Sequence, residues 1–168
     1  LAYQYKDSIL NIRKPGSQGY LLMKSEKLLY EEKYDEAIGI LNSCYETHKQ
    51  KGYSVAIPSI GLANAYGVMG KTELQKKYLI ISAATKEYIS LWKLANLLFQ
   101  EGDINRAYTY IECSMQDATF CNARYRTQEI SEMLPIISRT YENKLRQEKT
   151  QMVALFVLTS VLLIILLI

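Results

Sequence analysis

The sequence predicts an all-α fold: a superhelix of antiparallel helix pairs, closed by a long C-terminal helix that continues into a membrane span. Three observations predict it. Apolar residues recur at helical spacing along most of the 168 residues. Three segments of similar pattern follow one another at near-constant spacing. The chain then ends in an uncharged apolar run, Met152 to Ile168. With only three Pro and eight Gly and no low-complexity linker, the chain is expected to be ordered and mostly helical.

The three segments align on a small residue in a first helix, a turn, and a small residue in a second helix. The first runs from Leu21 to Leu28, through Glu32 to Ala37 and Ile38, to Leu41 and Cys44. The second runs from Ile60 to Tyr66, through Met69-Gly70-Lys71-Thr72, to Leu79 and Ser82. The third runs from Leu91 to Leu98, through Glu101-Gly102-Asp103 to Ala107, then Ile111 and Ser114. Glu32, Gly70 and Gly102 share one turn position, 38 and 32 residues apart, which brackets the 34-residue period of a tetratricopeptide repeat. Two helices cross closely only where side chains are small. Ser25, Ala63 and Ala95 supply this on the first helices, Ala37 and Ala107 on the second. Leu28, Tyr66 and Leu98 are expected to fill the space between helices. The second unit is the weakest, because Gln75 stands where Ala is expected. Asp35, Thr72 and Asp103 are expected as N-caps or first-turn residues of the second helices.

The flanks complete the organisation. Residues 1–17 are expected to be the end of an upstream repeat helix, amphipathic from Leu1 to Arg13, and a break at Lys14-Pro15-Gly16-Ser17. Residues 18–121 hold the three repeats. Residues 122–151 form a capping and juxtamembrane helix with Ile130, Met133, Leu134, Ile137 and Tyr141 on one side, kinked or broken at Pro135. Residues 152–168 form the membrane segment, whose only polar residues are Thr159 and Ser160. At about 1.5 Å per residue the run nearly crosses a hydrocarbon core of about 30 Å. The expectation is a span cut short, in a chain whose function continues beyond Ile168. Leu1 is not Met and no signal peptide is visible.

The stretch from Leu91 through Glu101–Tyr108, Asp117–Arg124, Glu129-Ile130-Ser131 and Leu134-Pro135-Ile136-Ile137 resembles a domain of unknown function. That domain follows the repeats in membrane-bound tetratricopeptide-repeat proteins of Bacteroidota, often described as transcriptional regulators. The resemblance covers nearly the whole chain. It implies a signal peptide, a periplasmic repeat domain, one span of the inner (cytoplasmic) membrane, and a cytoplasmic coiled coil with a DNA-binding region. It carries over no ligand and no functional residue.

Composition and motifs point away from catalysis. Net charge is +3 with both signs mixed, so no basic stripe suggests nucleic acid; contact with it is expected only through a missing C-terminal part. No phosphate loop, nucleophile elbow or metal-ligand spacing occurs, so the chain is expected to be no enzyme and to carry no cofactor or metal. His48 is expected at the surface, on the polar end of a helix. Cys44 and Cys113 are expected to be buried structural thiols, and Cys121 completes an odd count. Glu31-Glu32 and the Glu101–Asp103 turn read as helix-end acids. Most of the fourteen Tyr read as structural, ring buried and hydroxyl wet.

Binding is the function class that remains. Stacked helix pairs expose a concave face lined by their first helices. The partner-binding groove is expected to include Tyr30, Asn64, Trp92, Asn96 and Phe99, with Leu22, Glu26, Leu29, Ile57, Ile60, Val68, Ile89 and Gln100 around them. Aromatic anchors and two Asn side chains suit an extended peptide or protein ligand. Packing of the capping helix or an upstream repeat in this groove remains the alternative. Of the pattern in repeat domains that clamp chaperone-tail carboxylates, only Lys93 is present.

The leading expectation is therefore the sensor portion of a membrane-anchored signalling protein with a transcription-regulatory output. A histidine-kinase output and a tail-anchored cytoplasmic scaffold are the alternatives. The flank Arg139–Gln151 has a net charge of +2, which alone favours a cytoplasmic repeat domain; the resemblance implies a periplasmic one.

Overall fold

The computed structural model describes residues 7–8, 10–85 and 88–167. Among the described residues, seven helices follow the N-terminal stretch: α1 (Gln18–Tyr30), α2 (Tyr34–Gln50), α3 (Ala56–Val68), α4 (Thr72–Ala84), α5 (Tyr88–Gln100), α6 (Ile104–Phe120) and α7 (Arg124–Leu167). No strand occurs among the described residues. Residues 7–8 and 10–12 are helical; residues 1–6 and 9 of the expected N-terminal helix lie outside the described residues. Ser17 then caps α1, its Oγ accepting from the Tyr20 N–H at 3.3 Å.

Helix ends are set by backbone chemistry. Glu32, Gly52, Gly70, Gly102 and Asn122 all have positive φ, between 51° and 83°. At each, the next N–H reaches back to a carbonyl five residues earlier: Lys33 to Leu28, Tyr53 to His48, Lys71 to Tyr66, Asp103 to Leu98 and Ala123 to Ala118, at 2.8–2.9 Å. This is the Schellman closure, which satisfies carbonyls that the helix end leaves free. The aligned turn positions Glu32, Gly70 and Gly102 therefore share one conformation.

The chain divides into two compact units, Leu1–Leu94 and Ala95–Ile168. In the first, α1 packs on α2, α3 on α4, α2 on α3, and α1 on α3. The small residues Ser25, Ala37 and Ala63 are buried at these crossings, with Leu28, Leu41, Cys44, Leu79 and Ser82. The anomalous Gln75 has a physical compensation. Gly67 on α3 faces it, and a Cβ there would stand 2.6 Å from Gln75 Nε2. The small residue has moved to the opposite helix. Ser82 Oγ donates to the Ala56 carbonyl at 3.0 Å and accepts from Ser90 Oγ at 2.6 Å, which keeps these buried hydroxyls satisfied. Tyr66 stacks on Tyr78, and Tyr45 meets Tyr78 edge-on. Burial, then the neighbouring Tyr66, Tyr45 and Glu46, push the Tyr78 phenol up.

In the second unit, α6 packs on α7. Ala107, Ile111, Ser114 and Ala118 form the buried stripe of α6, and Ile130 and Ile137 that of α7. Tyr108 stacks on Tyr141 at 4.1 Å, and Lys144 Nζ donates to Asn105 Oδ1 at 3.1 Å. The helix α7 runs 44 residues, roughly 66 Å, without interruption. Its apolar end is solvent-exposed. Among the described residues it is the one helix long and apolar enough to cross a membrane.

Three expectations need correction. Pro135 does not break α7; it lies on an exposed face beside exposed Ser131, whose orphaned carbonyl can turn to water. Cys113 is exposed, not buried, because position 113 falls opposite the 107–111–114–118 stripe. Thr72 opens the first turn of α4 behind Lys71, which holds the cap position with no side-chain bond; Asp35 lies in the first turn of α2 and Asp103 caps α6, all three within what the sequence leads us to expect. His48 is part-buried rather than a bare surface residue; its Nδ1 lies 2.6 Å from the Ser54 carbonyl, and its Nε2 is buried without a partner.

Candidate partner-binding surface

In the first unit, the outer stripe of α3 is mostly apolar, exposed at Ile57, Asn64 and Val68 and part-buried at Ile60. Ile57, Ile60, Asn64 and Val68 follow one another at three- and four-residue steps, which keeps them on one helix face. Ile57 and Val68 are 57% and 65% exposed, far more than a core residue allows. On α1, which touches α3, Tyr30 is 70% exposed at the C-terminal end. Asn64 is exposed, and its Oδ1 accepts from Lys93 Nζ of α5 at 2.7 Å. This bond leaves the Asn64 amide N–H₂ free to donate outward. Trp92, next to Lys93, is part-buried, and its indole N–H is buried without an acceptor. Its ring is thus shared between packing and surface.

Asn96 and Phe99 lie on the part of α5 that belongs to the second unit, and both are part-buried. Tyr30, Asn64 and Trp92 belong to the first. Sequence reading singled out Asn64 but gave no partner to Lys93. The signal was present: the two are 29 residues apart, close to one repeat, so equivalent first helices bring them side by side.

The surface offers aromatic rings, aliphatic side chains, an amide and an ammonium group. That set suits contact with an extended chain, whose backbone amides need donors and acceptors and whose side chains need apolar contact. Among the described residues, no group of three or more His, Cys, Asp and Glu converges on a metal position.

Paired antiparallel helices with small residues at every crossing define a helical-repeat protein of the tetratricopeptide class. More narrowly, the chain belongs to the family described as the SusR N-terminal TPR domain, which matches residues 1–132. Its fold is similar to that of the type III secretion translocator chaperone SycD of Yersinia enterocolitica, with a TM-score of 0.64. That likeness covers 80% of this chain and 92% of SycD at 17% sequence identity. No curated protein matches the sequence.

Proposed function

We propose that this chain is the sensor portion of a membrane-anchored signalling protein. Its repeat domain binds a peptide or protein partner, and α7 relays the bound state through the membrane to a cytoplasmic transcription-regulatory output. The observation that carries the binding half is the exposed Ile57–Val68 stripe with its Asn64–Lys93 bond. Family membership supports it, since tetratricopeptide domains bind protein partners. The relay half draws support from the continuity of α7. The Lys144–Asn105 bond lies only eight residues before Met152, and no loop intervenes to absorb a rotation or shift.

The repeat domain is placed in the periplasm in this reading. A histidine-kinase output would use the same sensor, and a tail-anchored scaffold would work with its repeats in the cytoplasm. The juxtamembrane charge of +2 is the observation that favours the last.

Two experiments test the proposal. For topology, a single engineered surface cysteine, Ser54→Cys with Cys113 and Cys121 replaced by Ser, is labelled in whole cells by a membrane-impermeant reagent. Labelling of intact cells is expected; protection until lysis would place the repeats in the cytoplasm. For binding, photocrosslinkers at Ile57 and Val68 are expected to capture a partner in cells, and Trp92→Ala to weaken capture with little change in melting. Unchanged capture with a large fall in melting temperature would make Trp92 a core residue and remove it from the surface.

A further inference from the structure

We propose that the first unit holds a second, smaller site that binds a free small-molecule carboxylate, in a pocket between the start of α1 and the C-terminal half of α2. It shares no residue with the α3 stripe and stands independently of the partner-binding reading. The cavity measures about 330 Å³, at the lower end of the usual range of ligand sites.

The wall has two halves. One is polar and carries positive charge. Gln18, Ser43 and Lys51 line it, and their side chains make no hydrogen bond or ion pair among the described residues. Among the described residues, no Asp or Glu lines the pocket. The Gln18 and Gly19 amides open α1, where they have no intrahelical acceptor and the helix dipole is positive. Outside the lining, the guanidinium of Arg13 lies over Gly19 at the same helix start, where any Cβ would collide with it. The other half is apolar: Leu21, the buried Cys44 thiol and the Tyr53 ring.

The pocket is open to solvent, with Ser43, Lys51 and Tyr53 exposed at its rim and Cys44 buried in its wall, and local backbone holds its rim in place. Tyr53 is fixed by the Gly52 turn, by its N–H bond to the His48 carbonyl at 2.9 Å, and by an edge-on contact with the His48 ring. Lys51 enters from the helix end that the same turn closes. A ligand with one anionic end and an apolar body matches both halves. A bare inorganic anion would leave the apolar half empty, and a neutral molecule would gain no ion pair from the exposed Lys51 ammonium.

Cys44 supplies the readout: it is 2% exposed, so a reagent reaches it only when the packing of α1 on α2 opens, and a ligand seated between them would hold that packing shut. In the full chain in detergent, with Cys113 and Cys121 replaced by Ser, alkylation of Cys44 by N-ethylmaleimide is timed. The probes are benzoate and 4-methylpentanoate, each against its amide, together with a leucine-terminated tripeptide acid and its amide. At millimolar concentration the two small acids are expected to slow alkylation severalfold and their amides to have no effect. Lys51→Met is expected to abolish the protection at an unchanged melting temperature, and Lys51→Arg to retain part of it. Absence of protection by either small acid, equal protection by the amides, or full protection in Lys51→Met would each overturn the proposal. Protection by the tripeptide acid alone would likewise overturn it and assign the pocket to a chain terminus.

Discussion

Replacement of Gly102 by Ala tests the helix-closing turns directly. Gly102 has φ of +83°, in the left-handed region, and a Cβ built there meets nothing within 4 Å. The steric cost of the added methyl against neighbours is therefore nil, and only the backbone cost remains. For an L-residue held in this region that cost is about 1–2 kcal/mol. Ala also narrows the unfolded ensemble relative to Gly, an opposing gain of about 0.4–1 kcal/mol where the native conformation suits it; here it does not, so loss dominates. The net expectation is a destabilisation of about 1 kcal/mol, or roughly 2–4 °C in melting temperature for a domain of this size. The mirror experiment is Glu32→Gly. Glu32 adopts φ of +61° at the equivalent turn, is exposed, and sits at the negative end of the α1 dipole. Its replacement relieves both costs and is expected to stabilise by about 0.5–1 kcal/mol. Both are read by circular-dichroism melting of the full chain in one detergent. A neutral or stabilised Gly102→Ala, or a destabilised Glu32→Gly, would refute the claim that the three turns share one strained geometry.

Further predictions follow from other positions. Ala107→Leu places a large side chain at a fully buried helix position and is expected to cost about 1–3 kcal/mol by overpacking, measured by the same melting; a neutral result would remove Ala107 from the crossing. Gly39→Ala, in the exposed middle of α2 with open space around it, is expected to stabilise by about 0.5–1 kcal/mol through helix propensity alone. Thiol titration of the native chain is expected to show Cys113 and Cys121 reacting fast and Cys44 slowly, since burial both shields the Cys44 thiol and pushes its pKa up. The Asp103 cap should weaken in acid. Bonds from the Arg106 backbone N–H and then its guanidinium hold the Asp103 carboxyl below its ordinary value. Its contribution is thus present above the unfolded pKa and lost as pH falls through the lower folded one. Asp103→Asn, which keeps a capping oxygen but no charge, is expected to flatten that acid limb of the melting curve.

Much of the architecture was legible because repeat packing is written in single residues. A crossing needs a small side chain at a fixed position, so Ser25, Ala37, Ala63, Ala95 and Ala107 announced it, and all five are buried. The uncharged run from Met152 announced its helix in the same way, since any apolar segment of that length must satisfy its backbone internally. Phase was harder to read. Cys113 was misplaced because two residues along a helix are about 200° apart, and a local list of apolar neighbours does not record which side they face.

Composition and pattern by themselves determined an all-helical repeat chain with a long apolar C-terminal helix, because helical period, small crossing residues and hydropathy are local properties. Tertiary structure decided what depends on two distant segments meeting. It turned Gln75 from a defect into a fit by setting Gly67 against it, and it joined Asn64 to Lys93 across 29 residues. It also gathered Gln18, Leu21, Cys44, Lys51 and Tyr53 around one cavity. The Asn64–Lys93 spacing is close to one repeat, but the Gln75–Gly67 fit and the cavity have no periodic signature, since each is fixed by how helices seat against one another rather than by the sequence of either one.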